Sequence, residues 1–253
     1  MMIEILILSL VQGITEFLPI SSSSHLILIS KFSNFQYENL SIDVSLHIGS
    51  FIAVITYFHK DIYNFIENRL LFLKILISSV PVMLVGFLLV QTSLIDKFRN
   101  IEVIGWSTLV FGVLLYISDK FKLNKKIEKD LSFKSVVIIG LFQVLSLIPG
   151  VSRSGITITA SRLLCFNRLD SAKISFLLSI PTLGAISVFG LTNIISSNNL
   201  FFSSLNLYSI FISFLFSLMT IKFFLKYIQK FSLNLFIIYR VILGLILIFV
   251  SYL

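Results

Sequence analysis

An arginine and several hydroxyl residues interrupt an otherwise apolar stretch in the run Pro149-Gly150-Val151-Ser152-Arg153-Ser154-Gly155-Ile156-Thr157. An arginine at membrane depth costs roughly 2.5–3.5 kcal/mol on insertion scales, so it marks a functional site by default. A second polar interruption lies near the start of the chain, where Gln12-Gly13-Ile14-Thr15-Glu16-Phe17-Leu18-Pro19 precedes Ser21-Ser22-Ser23-Ser24-His25. Arg153 offers a planar fork of donors suited to phosphate oxygens. Residues 152–155 lead into a half-helix whose free amides and positive dipole end favour the same anion, and Gly150 and Gly155 let backbone approach a ligand closely. With a carboxylate, hydroxyls and an imidazole in the other segment, the two together hold the parts of a phosphate-processing site.

Residues three or four apart share a helix face, so Gln12 with Glu16, Ser22 with His25, and Arg153 with Thr157 form three candidate pairs. If the two segments meet, the pairs converge on one pocket. The bland reading of Ser21, Ser23, Ser24, Ser154 and Thr159 is local hydrogen bonding or helix packing. Glu16 and His25 could be a charge pair that stabilises their own segment, and His47 and His59 read as structural or interfacial. Neither a Walker-type loop nor zinc-ligand spacing is present, so no nucleotide is expected.

The elements that must position these groups are apolar throughout. Of 253 residues, 57% are hydrophobic and 13% charged, with mean hydropathy +1.00, whereas about a quarter of residues in a soluble domain are charged. Runs near 44–58, 70–92, 102–118, 174–195, 205–225 and 235–253 are mostly close to the ~20 residues that cross a bilayer. The first residues lack a basic n-region and a cleavage signature, so a removable signal peptide is not expected. The single Cys165 excludes an intramolecular disulfide. The net charge of +8 is scattered among loops, which argues against nucleic acid. It follows the positive-inside rule instead, placing the lysine-rich loop 119–134, the loop with Arg168 and Lys173, and that with Lys222, Lys226 and Lys230 in the cytoplasm.

Working outward, residues 31–43, residues 196–204 and the C-terminus fall outside. Both flanks of residues 135–165 are then cytoplasmic, and only eight residues separate Arg153 from Arg162, so this segment is expected to be a re-entrant hairpin. Residues 1–30 form a second, broken at Pro19 as the other is at Pro149-Gly150. Leu10-Val11-Gln12 leading to Pro19 matches Leu141-Phe142-Gln143 leading to Pro149, and each hairpin precedes three spans. The expectation is a single all-α, polytopic membrane domain of six transmembrane helices and two re-entrant helical hairpins, an inverted repeat of about 1–130 and 131–253. Such repeats place their sites at the interface of broken helices.

The Gln12-x-x-x-Glu16 pair with Phe17-Leu18-Pro19, the serine run ending in His25, and the run from Pro149 to Thr157 resemble the two signature motifs of the undecaprenyl-diphosphate phosphatases. These are the bacitracin-resistance membrane phosphatases of bacteria. The resemblance extends along nearly the whole chain, through residues 175–181 and Ile237-Ile238-Tyr239-Arg240. Two positions depart from the commonest pattern: Gln12, where many members have a second glutamate, and Ser24, where glycine is usual. The first counts against a two-carboxylate metal site. The resemblance implies hydrolysis of a polyprenyl diphosphate to the monophosphate carrier for cell-wall synthesis, at the bacterial plasma membrane, with the site open to the outer (periplasmic) face.

On this reading Ser152, Arg153, Ser154, Gly155, Thr157 and Gln12 bind substrate, while Ser22, His25, Glu16 and Arg153 carry the chemistry. Ser22 is the favoured nucleophile, with His25 as its base or as acid to the leaving group. Attack by His25, or by water that it activates, stays open. Glu16 either holds a divalent cation, Mg2+ or Ca2+, or orients His25. The expected partners are the polyprenyl diphosphate and membrane lipids, with a homodimer left open. The rival reading is a lipid-phosphate transporter or flippase.

Overall fold

The structure, a computed structural model, describes residues 2–33, 40–67, 69–92, 94–121, 124–196 and 204–253. Lys122 and residues 34–39 and 197–203 of the two connections expected outside, at 31–43 and 196–204, lie beyond the described residues. Among those described, twelve α-helices and two short 3₁₀ turns occur and no strand is formed. The first hairpin is α1 (Met2–Thr15) and α2 (Ser22–Ser33), followed by α3 (Leu40–Tyr57), the short α4 (His59–Glu67), α5 (Arg69–Gln91) and α6 (Ile101–Asp119). After α7 (Ile127–Asp130) comes the second hairpin, α8 (Phe133–Val144) and α9 (Arg153–Leu163), then α10 (Arg168–Ser196), α11 (Ser204–Ile228) and α12 (Asn234–Ser251).

Five of these, α5, α6, α10, α11 and α12, are long and apolar enough to cross a membrane. The sixth expected span, α3, has a shorter apolar stretch, Ser41–Tyr57. The distribution of side chains is that of a multi-pass membrane protein. Leu84, Leu88, Val188, Met219 and Phe249 lie on the outside with 60–67% of their surface exposed, whereas Ser45, Ser50, Ser209, Ser213 and Ser217 are fully buried. Lipid tails are as apolar as leucine, so helices associate through small residues and hydrogen bonds rather than by hiding apolar surface.

The contact of α3 with α11 shows how. Gly49 lies so close to α11 that a Cβ would come within 2.5 Å of the Ile210 carbonyl oxygen. Ser213 Oγ donates to Leu46 O (2.7 Å), and Asn206 Nδ2 donates to Ser41 O (3.0 Å). The contact of α5 with α10 is different in kind. It includes an edge-to-face pair, Phe87 and Phe189, beside an apolar cavity of about 430 Å³ lined by Val82, Met83, Leu147 and Ile186.

Asp119 ties the far end of α9 to its neighbours. Arg168 donates to both its carboxylate oxygens (2.7 and 2.9 Å), Arg162 Nε lies 3.5 Å away, and the Leu233 amide donates to Oδ2 (3.3 Å). Its residues come from α6, α9, α10 and the start of α12. At the other end of α9, the turn of the first hairpin is seated by Phe17, which meets Phe176 of α10 edge to face at 5.3 Å. This leaves the two hairpin tips facing each other.

Candidate active site

Each hairpin turns through a residue with positive φ placed just before its second half-helix: Ser21 (φ 73°) before α2 and Ser152 (φ 68°) before α9. Non-glycine residues in this region carry strain that the surroundings must hold in place. Ser152 Oγ accepts from the Gly155 amide (3.1 Å), capping α9, and Ser21 Oγ lies 3.0 Å from Ser24 Oγ. Gly150 has φ +98°, and a Cβ there would stand 2.0 Å from Ser107 Oγ, so only glycine fits.

Carbonyl groups freed by the turns are taken up by other elements, as burial requires. Ser107 Oγ donates to Pro149 O (2.5 Å) and Thr108 Oγ1 to Gly150 O (3.5 Å). Arg240 of α12 is fully buried and donates to both turns at once: to Pro19 O (3.1 Å), Val151 O (3.0 Å) and Gly150 O (2.9 Å). Ser154 Oγ reaches across to Leu18 O (2.7 Å). Through these bonds the tips become one unit.

At their junction stands Glu16. Its Oε1 accepts from Arg153 Nη2 (3.0 Å), and its Oε2 accepts from Ser22 Oγ (2.6 Å) and Gln12 Nε2 (3.0 Å). Gln12 Nε2 is also 3.1 Å from His47 Nδ1 of α3, which brings into the site a histidine expected to be structural or interfacial. Because Gln12 must turn its amide nitrogen toward the carboxylate, its Oε1 is left buried without a hydrogen-bond partner.

His25 faces another way. Its Nδ1 is 2.6 Å from Ser21 O, and its Nε2 is 2.5 Å from the Tyr239 hydroxyl, with the two rings stacked at 5.7 Å. The expected Ser22–His25 pair is therefore not joined by a hydrogen bond here: Ser22 is bonded to Glu16 and His25 to Tyr239. Helical spacing puts both on one face but does not say which neighbour each hydroxyl or ring finds. Thr157 is buried between helices, its hydroxyl 2.8 Å from both Arg153 O and Ser175 Oγ. Arg153 Nη1 donates to Ser175 O (3.4 Å), which leaves the guanidinium anchored on one side and paired with Glu16 on the other.

The site so built brings together Gln12, Glu16, Ser22 and Arg153, with Ser152, Ser154 and Gly155 shaping the backbone beneath them. Sequence reasoning missed Arg240, Tyr239 and His47 as participants. For Arg240 the signal was present, since an arginine inside an apolar span carries the same insertion cost that singled out Arg153.

For a divalent cation these groups offer few ligands. Among the described residues no cluster of three or more histidine, cysteine, aspartate or glutamate side chains could hold a metal. The oxygen donors at hand are one carboxylate, Glu16, and the unpartnered Gln12 Oε1. That set fits Mg2+ arriving on a diphosphate, which needs only one or two carboxylates besides phosphate and water; it does not fit a cage built by protein alone.

Residues 5–246 match the family model described as "Bacitracin resistance protein BacA". The undecaprenyl-diphosphatase of Pelagibacter ubique (strain HTCC1062) is 51% identical over 251 residues, covering 99% of this chain and 98% of its own. Those of Campylobacter curvus (strain 525.92) and Jannaschia sp. (strain CCS1) are 40% identical over 266 residues and 39% over 260, covering 98% and 97% of each chain.

Proposed function

The chain belongs to the bacitracin resistance protein BacA family, and from that premise we propose that it is a membrane phosphatase acting on undecaprenyl diphosphate. The products are undecaprenyl phosphate, the lipid carrier of cell-wall synthesis, and inorganic phosphate. The observation that carries this reading is the meeting of the hairpins, where Arg153, Glu16 and Ser22 form one hydrogen-bonded chain. Every group named comes from a single copy of the chain.

Phosphoryl transfer asks the protein mainly for positioning and for neutralisation of spread-out charge. Arg153 turns its fork to the terminal phosphate, and the amides that begin α9 add donors. Ser22 Oγ attacks the terminal phosphorus while its proton passes to Glu16 Oε2, already at 2.6 Å. The bond between that phosphorus and the bridging oxygen breaks, releasing the lipid monophosphate. Water then cleaves the phosphoserine, its oxygen going to phosphorus and a proton to Ser22 Oγ, and Glu16 gives up the proton it took to solvent, which restores the site and frees phosphate. A divalent cation arriving with the diphosphate would find its carboxylate ligand in Glu16 and would supply further neutralisation.

The lipid tail lies in the cavity between α5 and α10, whose lining includes Leu147, two residues before Pro149. The site opens on the outer face. Support for this comes from the lysine-rich loop 119–134, which adjoins Asp119, whereas the tips lie at the other end of α9, whose 11 residues span about 16 Å. Cysteine labelling of intact cells tests it, with Cys165 replaced: a cysteine at position 127 stays unreactive toward an impermeant reagent.

The decisive experiment is phosphate release from a polyprenyl diphosphate by the purified protein in detergent. Detergent has no compartments, so a transporter gives no product there, whereas the phosphatase turns over.

A further inference from the structure

Tyr239 lies directly before Arg240 on α12, and nothing in the reaction just described uses it. Its hydroxyl oxygen is 2.5 Å from His25 Nε2, and the rings are stacked with 12° between their planes. On the other side of the imidazole, Nδ1 is 2.6 Å from the Ser21 carbonyl oxygen. A carbonyl can only accept, so Nδ1 carries the proton. In the neutral ring Nε2 is then the acceptor, and the phenol is the donor. Both ring nitrogens are therefore committed, and neither is turned to Ser22.

Resting on the proposed phosphatase reading, we propose that Tyr239 is a positioning residue that occupies His25 Nε2 and keeps that nitrogen off Ser22. The consequence is a division of labour. Ser22 is left to Glu16 as its proton acceptor, whereas an Nε2 freed of the phenol turns to Ser22 and draws its hydroxyl away from Glu16. Because α12 also holds Pro19, Gly150 and Val151 through Arg240, the same turn of helix that joins the tips sets the imidazole beside them.

The test is Tyr239→Phe in the full-length protein, which keeps the stacked ring and removes only the donor. The ¹⁵N spectrum of histidine-labelled protein in detergent, with His25 identified by its loss in His25→Gln, reports the tautomer directly. We expect wild-type His25 in the Nδ1–H form with its Nε2 resonance displaced by the phenol's hydrogen bond; in the phenylalanine variant the Ser21 carbonyl keeps the Nδ1–H form and the Nε2 resonance moves to that of a nitrogen without this bond. For the polyprenyl diphosphate, kcat falls roughly tenfold with KM within about a factor of two. In a His25→Gln background the same substitution has no further effect, because its action runs through the imidazole. An unchanged His25 signal, or an equal loss in the His25→Gln background, overturns the proposal. The nitrogen spectrum requires no turnover, so it decides this point even if the detergent assay fails and the phosphatase reading falls with it.

Discussion

The two hairpin turns are held by the same device and by different kinds of residue. In the second, the carbonyls of Pro149, Gly150 and Val151 are bonded by Ser107, Thr108 and Arg240, from the long helices α6 and α12. In the first, the carbonyls of Leu18, Pro19 and Ser21 are bonded by Ser154, Arg240 and His25. Two of those three belong to the sequence motifs of the site. The second turn is thus part of the scaffold, and the first is docked onto it through the site itself. Disturbing the chemistry loosens the first hairpin before the second.

The sharpest way to break this contrast is at Arg153, a side chain of the second hairpin that binds Glu16 of the first. Arg153→Ala is expected to lower phosphate release about a thousandfold while the protein still inserts. Arg153→Lys restores little of it, because a point charge cannot replace a fork that spans Glu16 and the substrate. Lysine activity near wild type would remove the argument from geometry.

A smaller effect, about a hundredfold on phosphate release, is expected for Glu16→Gln, which keeps an oxygen toward Ser22 and loses the charge. The Mg2+ dependence of the residual activity then weakens. An unchanged titration assigns Glu16 to proton transfer alone. The smallest effect on chemistry, and one felt in stability, belongs to the scaffold. Gly150→Ala places a Cβ against Ser107 at φ +98° and is expected to cost about 2 kcal/mol. It is read as a lowered unfolding temperature in detergent, with the activity per folded molecule less affected than by either motif substitution.

Much of this was legible in the sequence, for one physical reason: a charge or a proline in an apolar run is conspicuous because it is expensive. Arg153, Glu16, Pro19 and Pro149 stood out so, and with them the two hairpins. What stayed hidden were choices of partner. Hydrophobicity does not mark which face of a span turns inward, because the outward faces meet lipid and are apolar too. The inward faces carry small residues instead, and the spacing of Ser209, Ser213 and Ser217 marks the seam that α11 presents to α3 and α1 only once one looks for serines. The bonding of Ser22 to Glu16 and of His25 to Tyr239 depends on ring and hydroxyl directions that spacing along one helix does not encode.

Arg240 has a consequence beyond tying the turns together. Its partners are carbonyl oxygens, and among the described residues no carboxylate forms an ion pair with it. Two guanidinium groups therefore stand against the single carboxylate of Glu16 at the tips, and the surplus charge acts on any anion that enters. It acts first on the diphosphate end of the proposed lipid substrate, the most highly charged group expected there. That attraction weakens as ionic strength rises.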